Sequence, residues 1–163
     1  MADHVDGILA QWRRERPDLD VSPMGVIGRL SRAAAAVDAQ LARNFAAHDL
    51  DRGSFDVLAT LLRNGAPHRL TPAALAADAM ITSSAVAQRL NRLEARGLIT
   101  RTPNPEDGRG SLVTLTPAGK AAVEATLPAH LATEEAMLAD LTTDERAALA
   151  TLLSRLLHSA GGR

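Results

Sequence analysis

Ser84, Gln88, Asn91 and Arg92 share a stretch with Val86, Leu90 and Leu93. On a helix of about 3.6 residues per turn, the apolar three fall on one side and the polar four on the other. Amides and a guanidinium presented together are the groups that pair with base edges in a DNA major groove, or with phosphates along its wall. Ser83, at the start of the stretch, adds a hydroxyl to that set. A second constellation is the acid Asp56 and the base Arg63, seven residues apart and so on one side of a helix. That spacing fits a solvated helix edge, and it also fits two groups reachable from a single pocket.

These side chains need elements to position them. Thr71-Pro72 is a cap-and-proline helix start, followed by Leu75 and Ala79, and Met80-Ile81 reads as a turn. The polar-faced helix then runs from about Ser83 to Ala95, ended by Gly97. Residues 98–101 and 112–115 read as two strands. The intervening TPNPEDGRG is rich enough in Pro and Gly to project as a loop, with Arg109 near its tip, aimed at a minor groove or its phosphates. Helix, turn, helix, strand and strand in that order define a winged helix-turn-helix.

The flanking segments are helical. Val5, Ile8, Leu9 and Trp12 share one face of a short helix that Pro17 stops, and Trp12 could wall a pocket or simply anchor packing. Ser22 as cap and Pro23 open a long helix to about His48, and Ser54 to Arg63 makes the next. Thr116-Pro117 begins another, through Pro128 towards Leu138. Thr142 and Glu145 have the spacing of a capping box for a last, leucine-rich helix. The fold class is thus mainly α with a small β wing. Residues 1–48 are expected to serve as pocket wall and dimerisation helices, 49–116 as the DNA-binding unit and 117–163 as further dimerisation helices. The long helix ending near His48 and the leucine-rich last one exceed what one small winged domain must bury, which predicts a homodimer.

Composition narrows the function. There is no cysteine or tyrosine, and the histidines at 4, 48, 68, 130 and 158 never pair at ligand spacing, so neither a metal site nor a catalytic residue is expected. No apolar run reaches bilayer length, and the first residues lack the pattern of a signal peptide, which implies a cytoplasmic protein without a membrane partner. The formal net charge of -1 hides a segregation: residues 82–110 carry five arginines against three acids, whereas 124–145 carry six acids and no lysine or arginine. Positive charge concentrated on the winged unit suits double-stranded DNA. A winged-helix protein-interaction module is the alternative, but the polar face of 83–95 disfavours it.

The stretch RLEARGLITRTPNPEDGRGSLVTLTPAG, ending at Gly119, resembles the recognition-helix end, wing and following helix start of the MarR family of bacterial transcription regulators. The likeness extends over Met24 to Leu157. Many members have two arginines after the wing aspartate; Asp107-Gly108-Arg109 keeps one. A narrower resemblance is to the urate-responsive PecS/HucR-type branch, carried by ILAQWRRERPDLDVSPM and FDVLATLLRNG. It implies a ligand site of Trp12, Asp56, Arg63 and Arg89, in which Trp12 stacks on a planar ring and the arginines hold its charge. Arg89 lies at the flank of the polar-faced helix, so an anion held there would pull on that helix. The same resemblance implies a repressor, released from a pseudo-palindromic operator by urate or a similar small anion, with no other cofactor. A small organic carboxylic acid fits the arginines equally well.

Overall fold

Short oxygen-bearing side chains set most of the helix starts. In the computed structural model the described residues are 2–80, 83–105 and 107–161, with residues 83 and 107–109 described by backbone alone. Helix α1 (His4–Glu15) begins with a capping box in which Asp3 accepts from the Val5 and Asp6 amides and Asp6 returns to the Asp3 amide. Arg29 of α2 (Ser22–Ala46) grips both carboxylates, at 2.8 Å from Asp3 and 2.6 Å from Asp6. Ser22, expected as a cap, is instead the first helical residue, and Asp20 accepts its N–H. Helix α3 (Arg52–Arg63) starts two residues before the expected Ser54, because Asp51 is the cap that receives the Ser54 amide.

Thr71, Thr116 and Thr142 cap α4 (Pro72–Asp78), α6 (Pro117–Met137) and α7 (Thr143–Ser159), the last with the expected Thr142–Glu145 box. Helix α5 spans Ser83–Ala95, and the chain leaves it through Gly97 at φ +69, a left-handed conformation that glycine adopts without strain.

The wing departs from expectation in two ways. A short strand β1 (Arg69–Leu70), unforeseen because two residues carry no periodicity, joins β2 (Ile99–Asn104) and β3 (Asp107–Leu115) in an antiparallel sheet of order β1-β3-β2. The Pro/Gly-rich segment is largely strand rather than loop: pairing runs from Ile99↔Leu115 to Asn104↔Asp107, with an irregularity at Pro103/Asn104. Pro103 lies on an edge strand, where its missing N–H costs no ladder bond. The Arg109 backbone therefore sits in β3; its side chain lies outside the described residues.

The chain divides into two compact units, Met1–Arg43 and Asn44–Arg163. In the first, Val5, Leu9 and Val21 form a small core. In the second, Leu58, Leu61, Leu75, Leu93, Val113 and Val123 are at most 1% exposed and tie α3, α4, α5, β3 and α6 together. Phe45 stacks on Phe55 at 4.8 Å, and the His130 ring lies about as close to both. Gly119, at the start of α6, lies so close to the Leu98 carbonyl that no Cβ fits. Residues 31–40 of α2 are all exposed, and α7 buries none of its residues. Among the described residues no helix is long and apolar enough to cross a membrane.

Candidate nucleic-acid interface and effector residues

Helix α5 separates its faces as its sequence predicts. Val86, Leu90 and Leu93 are buried, and Ser84, Gln88, Asn91 and Arg92 lie on the other side. Ser83 begins the helix, with its side chain outside the described residues. Burying a leucine of this kind stabilises by roughly 1.5–3 kcal/mol, so three inward apolar residues fix which face α5 shows to solvent. An exposed helix face with hydroxyl, amide and guanidinium groups in register is shaped to be read against a groove.

Arg89, Arg92, Arg96 and Arg101 of the winged unit are braced. A carboxylate that sequence reasoning misses, Asp51, accepts from Arg89 Nε at 2.9 Å and from Arg92 Nη1 at 3.2 Å. The same carboxylate takes the Ser54 amide and hydroxyl at 2.9 and 3.2 Å. Partial burial pushes the Asp51 pKa up, but the Ser54 amide, the Arg89 charge and the remaining hydrogen bonds outweigh it and hold the group below the ordinary carboxylate value. Arg96 donates to the Asp49 carbonyl at 2.6 Å. Arg101 of β2 clamps Glu94 of α5 through Nε at 2.8 Å and through a second guanidinium nitrogen, fastening wing to helix. The Arg101 bond lowers the Glu94 pKa, and the same bond raises that of Arg101.

The expected effector residues fall into separate groups. Asp56 is 8% exposed and accepts the Met80 amide at 2.7 Å, while Arg63, exposed at the far end of α3, donates to the Asp78 carbonyl. Both therefore hold the end of α4, where the helix-turn-helix turns. Among the described residues, no hydrogen bond or ion pair joins Asp56 to Arg63 or to Arg89. Trp12 is 43% exposed on α1, in the first unit; Asp56, Arg63 and Arg89 belong to the second. A signal for Asp51 exists in the sequence: an aspartate three residues before a buried serine is a cap pattern, but Ser54 offers itself as the rival cap. No group of three or more His, Cys, Asp or Glu that could hold a metal occurs among the described residues.

A polar-faced helix after a short helix and before a sheet wing defines a class, the winged-helix DNA-binding regulators. The sequence profile of the MarR family matches residues 48–110, from the approach to α3 into β3. The chain is 40% identical to the HTH-type transcriptional regulator PecS of Dickeya dadantii over 93% of its own length and 92% of that protein's. Among solved structures, a mutant Escherichia coli MarR complexed with operator DNA superposes with a TM-score of 0.73 at 29% identity, covering 83% of this chain and 94% of that one. Bordetella bronchiseptica BpsR, whose DNA binding is regulated by 6-hydroxynicotinic acid, gives 0.72 at 29% identity, covering 81% and 98%. This chain belongs to the MarR family. It is a DNA-binding transcriptional regulator and not an enzyme.

Proposed function

We propose that the chain is a homodimeric repressor that leaves a pseudo-palindromic operator when it binds a small organic anion, urate or a planar acid like it. The exposed polar face of α5 carries the reading. Two copies related by a two-fold axis would set α5 into successive major grooves, with half-sites about one helical turn apart. Gln88, Asn91 and Arg92 would meet bases and phosphates, Ser83 and Ser84 would take phosphates at the helix start, and Arg109 would work from the wing. Helices within 1–48 and 117–163 would supply the dimer contact, while 49–116 reads DNA. Support for the second copy comes from apolar side chains left in solvent: Val26 and Ile27 are 64% and 51% exposed, and Leu152 and Leu157 are 57% and 56%.

For the effector, the support is chemical. Arg63 and Arg89 are guanidiniums on the helices flanking the α4 turn, Asp56 holds that turn by one hydrogen bond, and Trp12 offers an exposed ring. An anion that draws on Arg89 would perturb the reader helix directly, since Arg89 stands on α5. BpsR answers to a planar heteroaromatic acid, the same chemical type as urate. Ligand binding would then favour a dimer arrangement that no longer fits DNA.

Fluorescence anisotropy of a labelled duplex taken from upstream of the chain's own gene tests this. Saturable binding by two subunits per duplex is expected, falling steeply with salt. Urate, 6-hydroxynicotinate and a dicarboxylate are then titrated at fixed salt. Release by the planar acids supports the reading, release by the dicarboxylate alone replaces urate with an aliphatic acid, and release by none removes the effector role. Arg89→Ala should respond only at higher urate; an unchanged response would break the link between Arg89 and the anion.

A further inference from the structure

We propose that Asp51 is a positioning residue that divides its carboxylate between Arg89 and Arg92, so that whatever takes Arg89 hands the whole carboxylate to Arg92 and draws that arginine away from DNA phosphate. This deepens the proposed function, resting on its DNA-reading role for Arg92 and its anion-binding role for Arg89. The geometry is a three-body arrangement. Arg89 and Arg92 stand three residues apart on α5 and reach the two oxygens of one carboxylate, Oδ1 at 2.9 Å and Oδ2 at 3.2 Å. Ser54 also holds both oxygens, its amide on Oδ1 and its hydroxyl on Oδ2. The carboxylate therefore cannot follow a departing arginine, and the arginines must move relative to it.

Exposure sets the direction of exchange. The Arg92 side chain is 60% exposed and can trade its partner for a phosphate, whereas that of Arg89 is 25% exposed and more enclosed. Two guanidiniums facing one carboxylate leave a single net positive charge for the polyanion. An effector anion seated on Arg89 cancels it, since the remaining Asp51–Arg92 pair is neutral. The protein thus contains an internal competitor for phosphate, whose hold on Arg92 is weakest when Arg89 shares it.

A glycine makes room for the arrangement. A Cβ at Gly53 would lie 2.9 Å from Arg89 Nε and 3.4 Å from Asp51 Oδ1. Glycine in the first turn of α3 is unfavourable by local helix preference, yet here it leaves the space through which Arg89 reaches its partner.

Two substitutions on this turn should act in opposite senses. Asp51→Asn removes the charge and keeps a good helix cap. Gly53→Ala removes no charge and pushes Arg89 off the carboxylate, leaving Asp51 to Arg92. With the same upstream duplex at fixed salt and no effector, Asp51→Asn should bind about three- to tenfold tighter and Gly53→Ala weaker by a similar factor, the range expected for one partly exposed ion pair. Both shifts should vanish in an Arg92→Ala background. Structural damage alone would weaken binding in both variants and persist in that background. Shifts of the same sign, or Asp51→Asn binding no tighter than wild type, would overturn the proposal. With urate present, the ratio of Kd with and without ligand should fall towards one in Asp51→Asn. A wild type indifferent to urate would sink the effector reading, while the effector-free arm still decides the role of Asp51.

Discussion

Helices α5 and α7 are both capable of an apolar stripe, and they use it in opposite ways. Val86, Leu90 and Leu93 of α5 are at most 3% exposed, so the polar side is the one left in solvent. On α7, Leu149, Leu152 and Leu157 are 40–57% exposed and no residue is buried. An isolated helix of 17 residues gains little from propensity, so α7 needs a surface that covers its leucines. The outer side of α5 suits a polar polyanion; the outer side of α7 is the face that the proposed homodimer would set against a second copy of the chain. Amphipathic pattern alone does not tell these apart. What separates them is whether the apolar side is already covered within the chain.

The contrast breaks or holds most visibly at two leucines. Leu93→Ala removes a side chain that is fully buried, and should lower the free energy of unfolding by about 2–5 kcal/mol in a denaturant titration. It should leave the dimer dissociation midpoint in sedimentation velocity nearly unchanged. Leu152→Ala starts from a side chain 57% exposed in the chain and should shift that midpoint upward about tenfold or more, about 1.4 kcal/mol. If Leu152→Ala left the dimer midpoint alone, α7 would not be the covered surface.

Much of this is legible in the sequence because the signals are local. The Thr-Pro helix starts, the Thr142–Glu145 box and the Val86, Leu90, Leu93 face each depend on residues within about two turns of one another, and all appear where the spacing puts them. The failures are long-range. Strand β1 exists because Arg69 and Leu70 find Thr114 and Val113, far along the chain. Pro and Gly suggest a loop for the wing, but the ladder to β3 overrides local preference on an edge strand. Spacing places Asp56 and Arg63 on one side of α3 but cannot show that both turn to the end of α4. The partner of Arg89 lies 38 positions upstream, at a residue whose local role as helix cap hides its role as counter-ion.

A smaller effect sharpens the comparison at the helix starts. Thr142→Ala breaks the capping box of α7, whose Thr142 hydroxyl accepts the Glu145 amide and whose Glu145 carboxylate accepts the Thr142 amide. The cost should be about 1 kcal/mol. Because α7 buries nothing within the chain, frayed first-turn residues should appear as faster amide exchange over 143–147, with exchange in α5 unchanged. Equal loss of protection in both helices would mean that α7 is integral to the reader unit.

The smallest expected effect separates two carboxylates, one serving each helix. Glu145 is held below its ordinary pKa chiefly by the Thr142 amide, and Asp51 is held low by Ser54 and Arg89 against the upward push of partial burial. A carboxylate depressed in the folded state contributes stability that is fully present above its unfolded pKa, about 3.9 for aspartate, and is lost as pH falls through the lower native value. Asp51→Asn should therefore flatten the fall of unfolding free energy below about pH 4. The Asp51 side chain is 39% exposed, so solvent screening keeps the change to a few tenths of a kcal/mol. Salt distinguishes the two sites. At about 1 M the screening length drops to roughly 3 Å, which weakens the Arg89 and Arg92 share of Asp51 while leaving the hydrogen bonds at Glu145 in place. Acid titrations of Asp51→Asn and Glu145→Gln at low and high salt should show the first variant converging on wild type as salt rises and the second keeping its offset. Convergence of both would mean that α7's cap, too, depends on charges from elsewhere, and the contrast between the two helices would lose its electrostatic half.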